Sequence, residues 1–146
     1  MPAILWYFFL PSAMNFLIIP LPDGLRLPGI GAGCVGFGLQ MATHKSLRDH
    51  RASAKNANVE NMLIQDGPFR WIRHPLYFSL ILMMISWALV AAYLPFMLPA
   101  VVCIPFFDRE AEKEEMEMRT RCGGAYDDYC GHTGRFIPVI LRRVRE

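Results

Sequence analysis

From Leu76 to Phe107 the chain runs 32 residues without an Asp, Glu, Lys or Arg. A stretch of that length must be withdrawn from water, either in a protein core or in lipid. Pro95 and Pro99 fall near its middle, so the spacing predicts a hairpin of two apolar helices, about 76–93 and 95–122. The second has no helix-stopping signal at Phe107. It is expected to continue through Asp108–Glu117 and to stop at the glycine pair Gly123–Gly124, where a left-handed cap is available.

The rest of the chain is blocked in the same way. Between Met1 and Thr43 the only charges are Asp23 and Arg26. Residues 44–75 then carry six Lys/Arg and three Asp/Glu, and residues 108–146 carry eight and nine. The hydrophobic share is 53%, above the roughly 45–50% of an ordinary soluble domain, and its concentration in blocks argues against a soluble globule. Two more helices are expected, about 3–20 and 27–43. The first block lacks the basic start and small-residue cleavage site of a signal peptide, so it reads as a span. The expectation is one all-α domain, 1–146: an integral membrane bundle of about four transmembrane helices with a cytoplasmic C-terminal helix and tail.

Fourteen of the fifteen Lys/Arg lie in the two polar segments. The positive-inside rule then puts both segments and both termini at the cytoplasmic face of a multi-pass protein. The end of the chain, Phe136 to Glu146, has an apolar stretch followed by Arg142, Arg143 and Arg145, and reads as an interfacial anchor. A net charge of +2 with no clustered basic face gives no reason to expect nucleic acid. The four cysteines form no Cys-x-x-Cys pair, so neither a metal site nor a disulfide framework is expected. Gly31-x-Gly33-x-x-Gly36 matches the dinucleotide fingerprint letter for letter, but no strand precedes it and no acidic residue follows at the right distance. The run, with Gly29, reads instead as a surface for close helix packing.

Polar chemistry is expected where the polar segments meet the hairpin. Arg70, Arg73 and His74 crowd just before Pro75, and Glu112, Glu114 and Glu115 lie on the continuation of the returning helix. A hairpin brings these opposite charges to one end. A charge cap with aromatic belt residues Trp71 and Tyr77 would have the same composition; the density of Arg, Arg and His within five residues favours a site.

The string GPFRWIRHPLY (67–77), the pair Glu114–Glu115, then Cys122-Gly123-x-x-Tyr126-x-x-Tyr129 and Arg135-Phe136-Ile137-Pro138 resembles the membrane methyltransferase superfamily, which includes isoprenylcysteine carboxyl methyltransferases and phospholipid methyltransferases. The resemblance covers about 61–138. It implies S-adenosylmethionine (SAM) as methyl donor, bound by segments 61–77 and 108–138. The cofactor-binding residues it implies are Asn61, Met62, Leu63, Ile64, Phe69, Arg73, His74, Pro75, Leu76, Tyr77 and Glu114. Arg73 and Glu115 are candidates for positioning roles in catalysis. Two departures stand out. The tyrosine of the family's GPY element is Phe69 here. The isoprenylcysteine enzymes place a substrate-binding arginine where this chain has Glu110, with Arg109 the neighbouring substitute.

The implied activity is methyl transfer to a lipophilic small molecule or lipid at the cytoplasmic membrane face. Phospholipid N-methylation, an NADPH-dependent membrane reductase and a non-catalytic membrane scaffold are the alternatives. Residues after Gly124 are expected to return over the cofactor, carrying Tyr126, Tyr129, His132 and Arg135 across the pocket mouth. The acceptor atom, and whether one chain or a homo-oligomer completes the pocket, are left open.

Overall fold

Where each helix starts and stops follows from a few backbone-restricted residues. A computed structural model of the chain describes residues 20–53 and 63–139. Four α-helices run through them: α1 (Arg26–Ser53), α2 (Pro75–Ala91), α3 (Leu94–Cys122) and α4 (Gly124–His132). Short 3-10 turns at Asp23–Leu25 and Gly67–Arg70 precede α1 and α2. The expected helix 3–20, Asn61, Met62 and the basic tail from residue 140 lie outside the described residues.

α1 extends ten residues beyond the expected end at Thr43. Nothing in 44–53 breaks a helix, and His50 and Arg51 in the last turn suit the negative end of the helix dipole. α2 starts with Pro75, whose missing N–H would have no partner at a first helical position anyway. It ends at Ala92, which adopts a left-handed conformation (φ 48°, ψ 40°) although it is not glycine. Its N–H bonds to Ala88 O at 3.1 Å, and the residue is 2% exposed. α3 contains Pro99 and Pro105 and stops at Gly123 as expected. The cap itself differs from expectation: φ 56°, ψ −131° lies outside the left-handed helical region, in a region open mainly to glycine. It re-aims the chain directly into α4, a short helix where a C-terminal helix was expected.

α1 and α2 pack antiparallel along a seam of small residues. A Cβ on Gly29 would come within 2.9 Å of Leu89 Cβ, and one on Gly36 within 3.1 Å of Leu82 Cβ. One on Gly33 would strike the Ser86 hydroxyl. Further along, Ser79 Oγ hydrogen-bonds Gln40 Oε1, and Thr43, fully buried, returns its hydroxyl to Leu39 O at 2.7 Å. Positions 29, 33, 36, 40 and 43 keep a three-four spacing, the stripe of one helix face. Gly31 does not belong to it: its Cβ would meet nothing within 4 Å. The fingerprint-like run is therefore a coincidence of letters, of which Gly33 and Gly36 serve packing and Gly31 does not.

Several polar residues are buried along with Ile72, Tyr93, Tyr126 and Tyr129, and many large apolar ones are exposed. Buried positions include Thr43, Ser79, Ser86, His74, Glu115 and Thr133, while Leu27, Trp87, Leu98, Val101, Val102 and Phe106 are exposed. Among the described residues, no helix is long and apolar enough to cross a membrane. The helices expected at 27–43, 76–93 and 95–122 are present as helices, and their crossing of a bilayer is not shown.

Candidate active site

The chain enters α2 through a turn fixed against the far end of α1. Gly67 has φ +60°, and a Cβ there would run into Ser46 Oγ, so the unanticipated extension of α1 sets where residues 67–74 lie. Beyond that turn, residues 71–74 pair with the segment that leaves α4. Gly134 N–H donates to Trp71 O (3.2 Å), Arg73 N–H to Gly134 O (2.8 Å) and His74 N–H to Arg135 O (3.1 Å), forming a parallel bridge between Ile72 and Gly134. The C-terminal segment does return to the site, and it does so by backbone pairing.

This pairing surrounds Glu115, which is 4% exposed. Arg73 Nε donates to its Oε1 at 3.0 Å. Arg135 grips both oxygens, Nε to Oε1 at 3.2 Å and Nη2 to Oε2 at 3.1 Å. Arg135 Nη1 reaches on to Asp108 at 2.8 Å, and Arg73 Nη1 donates to the carbonyls of Cys130 and Thr133. Burial by itself would raise the Glu115 pKa; the hydrogen bonds from Arg135 and Arg73 outweigh it and hold the carboxyl below its ordinary value. Glu115 is therefore a buried anion neutralised by two guanidinium groups, with both oxygens hydrogen-bonded.

His74 stands between the two glutamates. Its Nε2 is 3.3 Å from Glu115 Oε1, and its Nδ1 is 3.3 Å from Glu114 Oε2. Burial lowers its pKa despite both carboxylates, with Arg73 adding to the lowering. Glu114 differs from its neighbour: its side chain is 54% exposed, and its other oxygen accepts the Tyr77 hydroxyl at 2.5 Å. Tyr77 stacks between His74 (5.7 Å) and Phe107 (5.1 Å).

A cavity of about 270 Å³ opens beside this network, lined by Leu63, Ile64, Phe69, Arg73, His74, Glu114, Met118, Tyr126 and Tyr129. Tyr129 fixes the wall by donating to Phe69 O at 2.7 Å, and burial raises its hydroxyl to about 12, so it remains a donor. Burial likewise raises Tyr126, with the Glu115 charge adding to it.

The structure thus gathers Leu63, Ile64, Phe69, Arg73, His74 and Glu114 around one cavity, with Tyr77 tied to its rim through Glu114. Pro75 is fully buried at the start of α2, and Leu76 turns its carbonyl to Ser79 Oγ at 2.7 Å; neither lines the cavity. Arg109 is exposed and Glu110 is paired with Lys113 at 2.6 Å; neither lines it either. Tyr126 and Tyr129 lie at the cavity as the return path requires. His132 does not: it is exposed, hydrogen-bonds Asp128 O at 2.8 Å, and faces a separate polar groove with Gln65, Asp66 and Arg70. Met118 escaped the sequence reading. It lies four residues after Glu114, one helical turn along the same face, which is the signal that would have found it. Among the described residues no group of His, Cys, Asp and Glu is arranged to hold a metal ion.

Residues 38–120 match the Isoprenylcysteine carboxyl methyltransferase (ICMT) family, a span that takes in α2, most of α1 and α3, and both glutamates. No curated protein matches the chain. The match covers more than half of the sequence, and the chain belongs to this methyltransferase family.

Proposed function

We propose that this member of the isoprenylcysteine carboxyl methyltransferase family transfers a methyl group from SAM to a lipophilic acceptor at the cytoplasmic face of a membrane. The observation that carries the reading is the cavity lined by Arg73, aromatic residues and the half-exposed carboxylate of Glu114, which lies 3.3 Å from His74. That donor set suits the cofactor. Glu114 matches an α-ammonium, and Arg73 an α-carboxylate. Phe69, Tyr126 and Tyr129 offer π-faces to an adenine or a sulfonium. At about 270 Å³ the cavity is slightly smaller than the roughly 300–1,000 Å³ usual for ligand sites. When bound, SAM supplies an electrophilic methyl group on positively charged sulfur. The protein's share is to hold donor and acceptor in line and exclude water, which can supply much of the rate enhancement of such a displacement.

The membrane setting is supported by the exposed large apolar side chains. α2 carries no charge over 17 residues, roughly 25 Å at 1.5 Å per residue, close to the ~30 Å of a hydrocarbon core. Its neighbour α3 turns Leu98, Val101, Val102 and Phe106 outward along the same stretch. Exposed apolar surface on that scale requires a lipid or protein cover. The density of Lys and Arg around the site favours the cytoplasmic side.

Calorimetry of detergent-solubilised protein tests the reading. Wild type is expected to bind SAM, and Glu114→Gln to bind about tenfold or more weakly, as expected for loss of a charge-assisted hydrogen bond worth roughly 1.5–3 kcal/mol. A wild type that binds no SAM, or a Glu114→Gln variant with unchanged affinity, overturns it. The first of these outcomes is what a non-catalytic scaffold would give.

A further inference from the structure

Arg135 serves two carboxylates that differ in burial. Glu115, 4% exposed, accepts from its Nε and Nη2. Asp108 accepts from Nη1 at 2.8 Å, and its side chain is 53% exposed. Positions 108, 111 and 115 share one face of α3, and Ala111 between the two acids is fully buried. The guanidinium is thus anchored at its inner edge by Glu115 and reaches the surface at Nη1. An exposed ion pair is worth little. Asp108 is therefore a replaceable partner, and Glu115 is not.

The surroundings of Nη1 point to what replaces it. Asp108 is the first charged residue after the charge-free stretch Leu76–Phe107. On its apolar side are Phe107, stacked on Tyr77 at 5.1 Å, and the exposed Phe106. Beside Arg135 in the returning segment are Phe136, 6.1 Å from the His74 ring, and the exposed Ile137. A guanidinium at the border of apolar and charged surface suits the carboxylate head of a lipophilic molecule. Other cations are placed less well. Arg109 is about 100° round the helix from Asp108, and Lys113 is held by Glu110 at 2.6 Å. Arg135 is also one residue removed from the cavity, because Glu115 meets both Arg73 and His74, which line it.

We propose that Arg135 Nη1 binds the carboxylate of the methyl acceptor, and that Asp108 holds that place until the acceptor displaces it. This rests on the methyl transfer proposed above. The family supplies the carboxyl class of the acceptor; the residue that receives it is the new assignment. One carboxylate oxygen stays on the guanidinium, and a lone pair of the other forms the bond to the methyl carbon. The carbon–sulfur bond breaks with its electron pair passing to the sulfonium, which becomes a neutral thioether. No proton is released. The ester product is uncharged, so its hold on Arg135 is lost and Asp108 returns. One exposed ion pair thus opens for the acceptor and closes behind the product.

The test uses the full chain in detergent–lipid micelles, loaded with S-adenosylhomocysteine so that no turnover occurs. The probes are N-acetyl-S-dodecylcysteine and its primary amide, which share one tail, so their difference in calorimetric affinity reports the head group. Wild type should bind the acid roughly tenfold or more tightly than the amide, the scale of a charge-assisted hydrogen bond. Asp108→Asn, at an exposed site, should raise affinity for the acid about threefold, the scale of an exposed ion pair, and leave the amide unchanged. Arg135→Lys keeps the charge and loses the fork, so the acid should lose most of its advantage over the amide. Should that variant fail to fold, wild type and Asp108→Asn decide the matter. The proposal is overturned by a wild type that binds acid and amide alike, by an Asp108→Asn variant whose affinity for the acid is unchanged or lower, or by a folded Arg135→Lys variant with the full preference. If the wild type binds no SAM at all, the function proposed above falls, and this inference with it.

Discussion

The α1–α2 seam and the Glu115 cluster both bury polar atoms, and they do it in opposite ways. Along the seam, Gly29, Gly33 and Gly36 remove side chains so that two backbones approach, and Ser79, Ser86 and Thr43 contribute neutral hydroxyls. At the cluster, side chains are long and charged, and one carboxylate holds two arginines from segments far apart in sequence. The seam therefore depends on volume and is indifferent to pH and salt. The cluster depends on charge balance: removing Glu115 leaves the largely buried Arg73 without a carboxylate, a larger penalty than any single bond is worth.

The largest effect is expected from Glu115→Ala, which leaves Arg73 without its carboxylate in a half-buried site; about 3–5 kcal/mol of stability should be lost in a denaturant titration. Next comes Gly33→Leu, which forces the Ser86 contact apart and should cost about 1–3 kcal/mol by overpacking, read as folded yield or midpoint shift. Gly31→Leu sharpens the same point, since open space surrounds that position and the change should stay within about 0.5 kcal/mol. Equal losses from the two glycine variants would refute the assignment of the seam.

Acid separates the two regions. His74 has a folded pKa below its ordinary 6.5, so the unfolded chain binds more protons and stability should decline as pH falls from 6.5 through the lowered value. Glu115 also has a depressed pKa. Its contribution is present above about 4.5 and is lost as pH falls through the folded value. Both slopes have the same sign. They should be flattened in His74→Gln and Glu115→Gln respectively, and be unaltered in Gly31→Leu. A small effect is also expected from Asp108→Asn, which removes one exposed partner of Arg135 and should shift stability by no more than about 1 kcal/mol.

Much of the site was readable because its residues are punctuated by prolines and glycines. Pro75 marks where α2 begins, and Gly123 where α3 ends, so the hairpin and the meeting of Arg73 and His74 with the glutamates follow from spacing. What spacing could not assign was the division of labour within the glutamate pair. One residue along a helix is a turn of about 100°, enough to bury Glu115 among arginines and leave Glu114 at the cavity rim. The extension of α1 was hidden because the change from apolar to charged residues at Lys45 resembles an element boundary, whereas helix propensity continues across it. The place of Arg135 depends on main-chain pairing between Trp71–His74 and Gly134–Arg135, which leaves almost no trace in side-chain identity.

That pairing sets an order of assembly. Arg73 and Thr133 are 60 positions apart, whereas the hairpin of α2 and α3 is closed by a turn of a few residues. Local contacts form early, and contacts across long loops wait for the chain that makes them. During synthesis α1, α2 and α3 can therefore be in place while Arg73 and Glu115 hold each other without Arg135. Only when residues 133–136 emerge does the second arginine arrive and the main-chain pairing with residues 71–74 close. A chain truncated before Thr133 would keep every residue that lines the cavity but lack both Arg135 and the main-chain pairing that holds Arg73 and His74 in place.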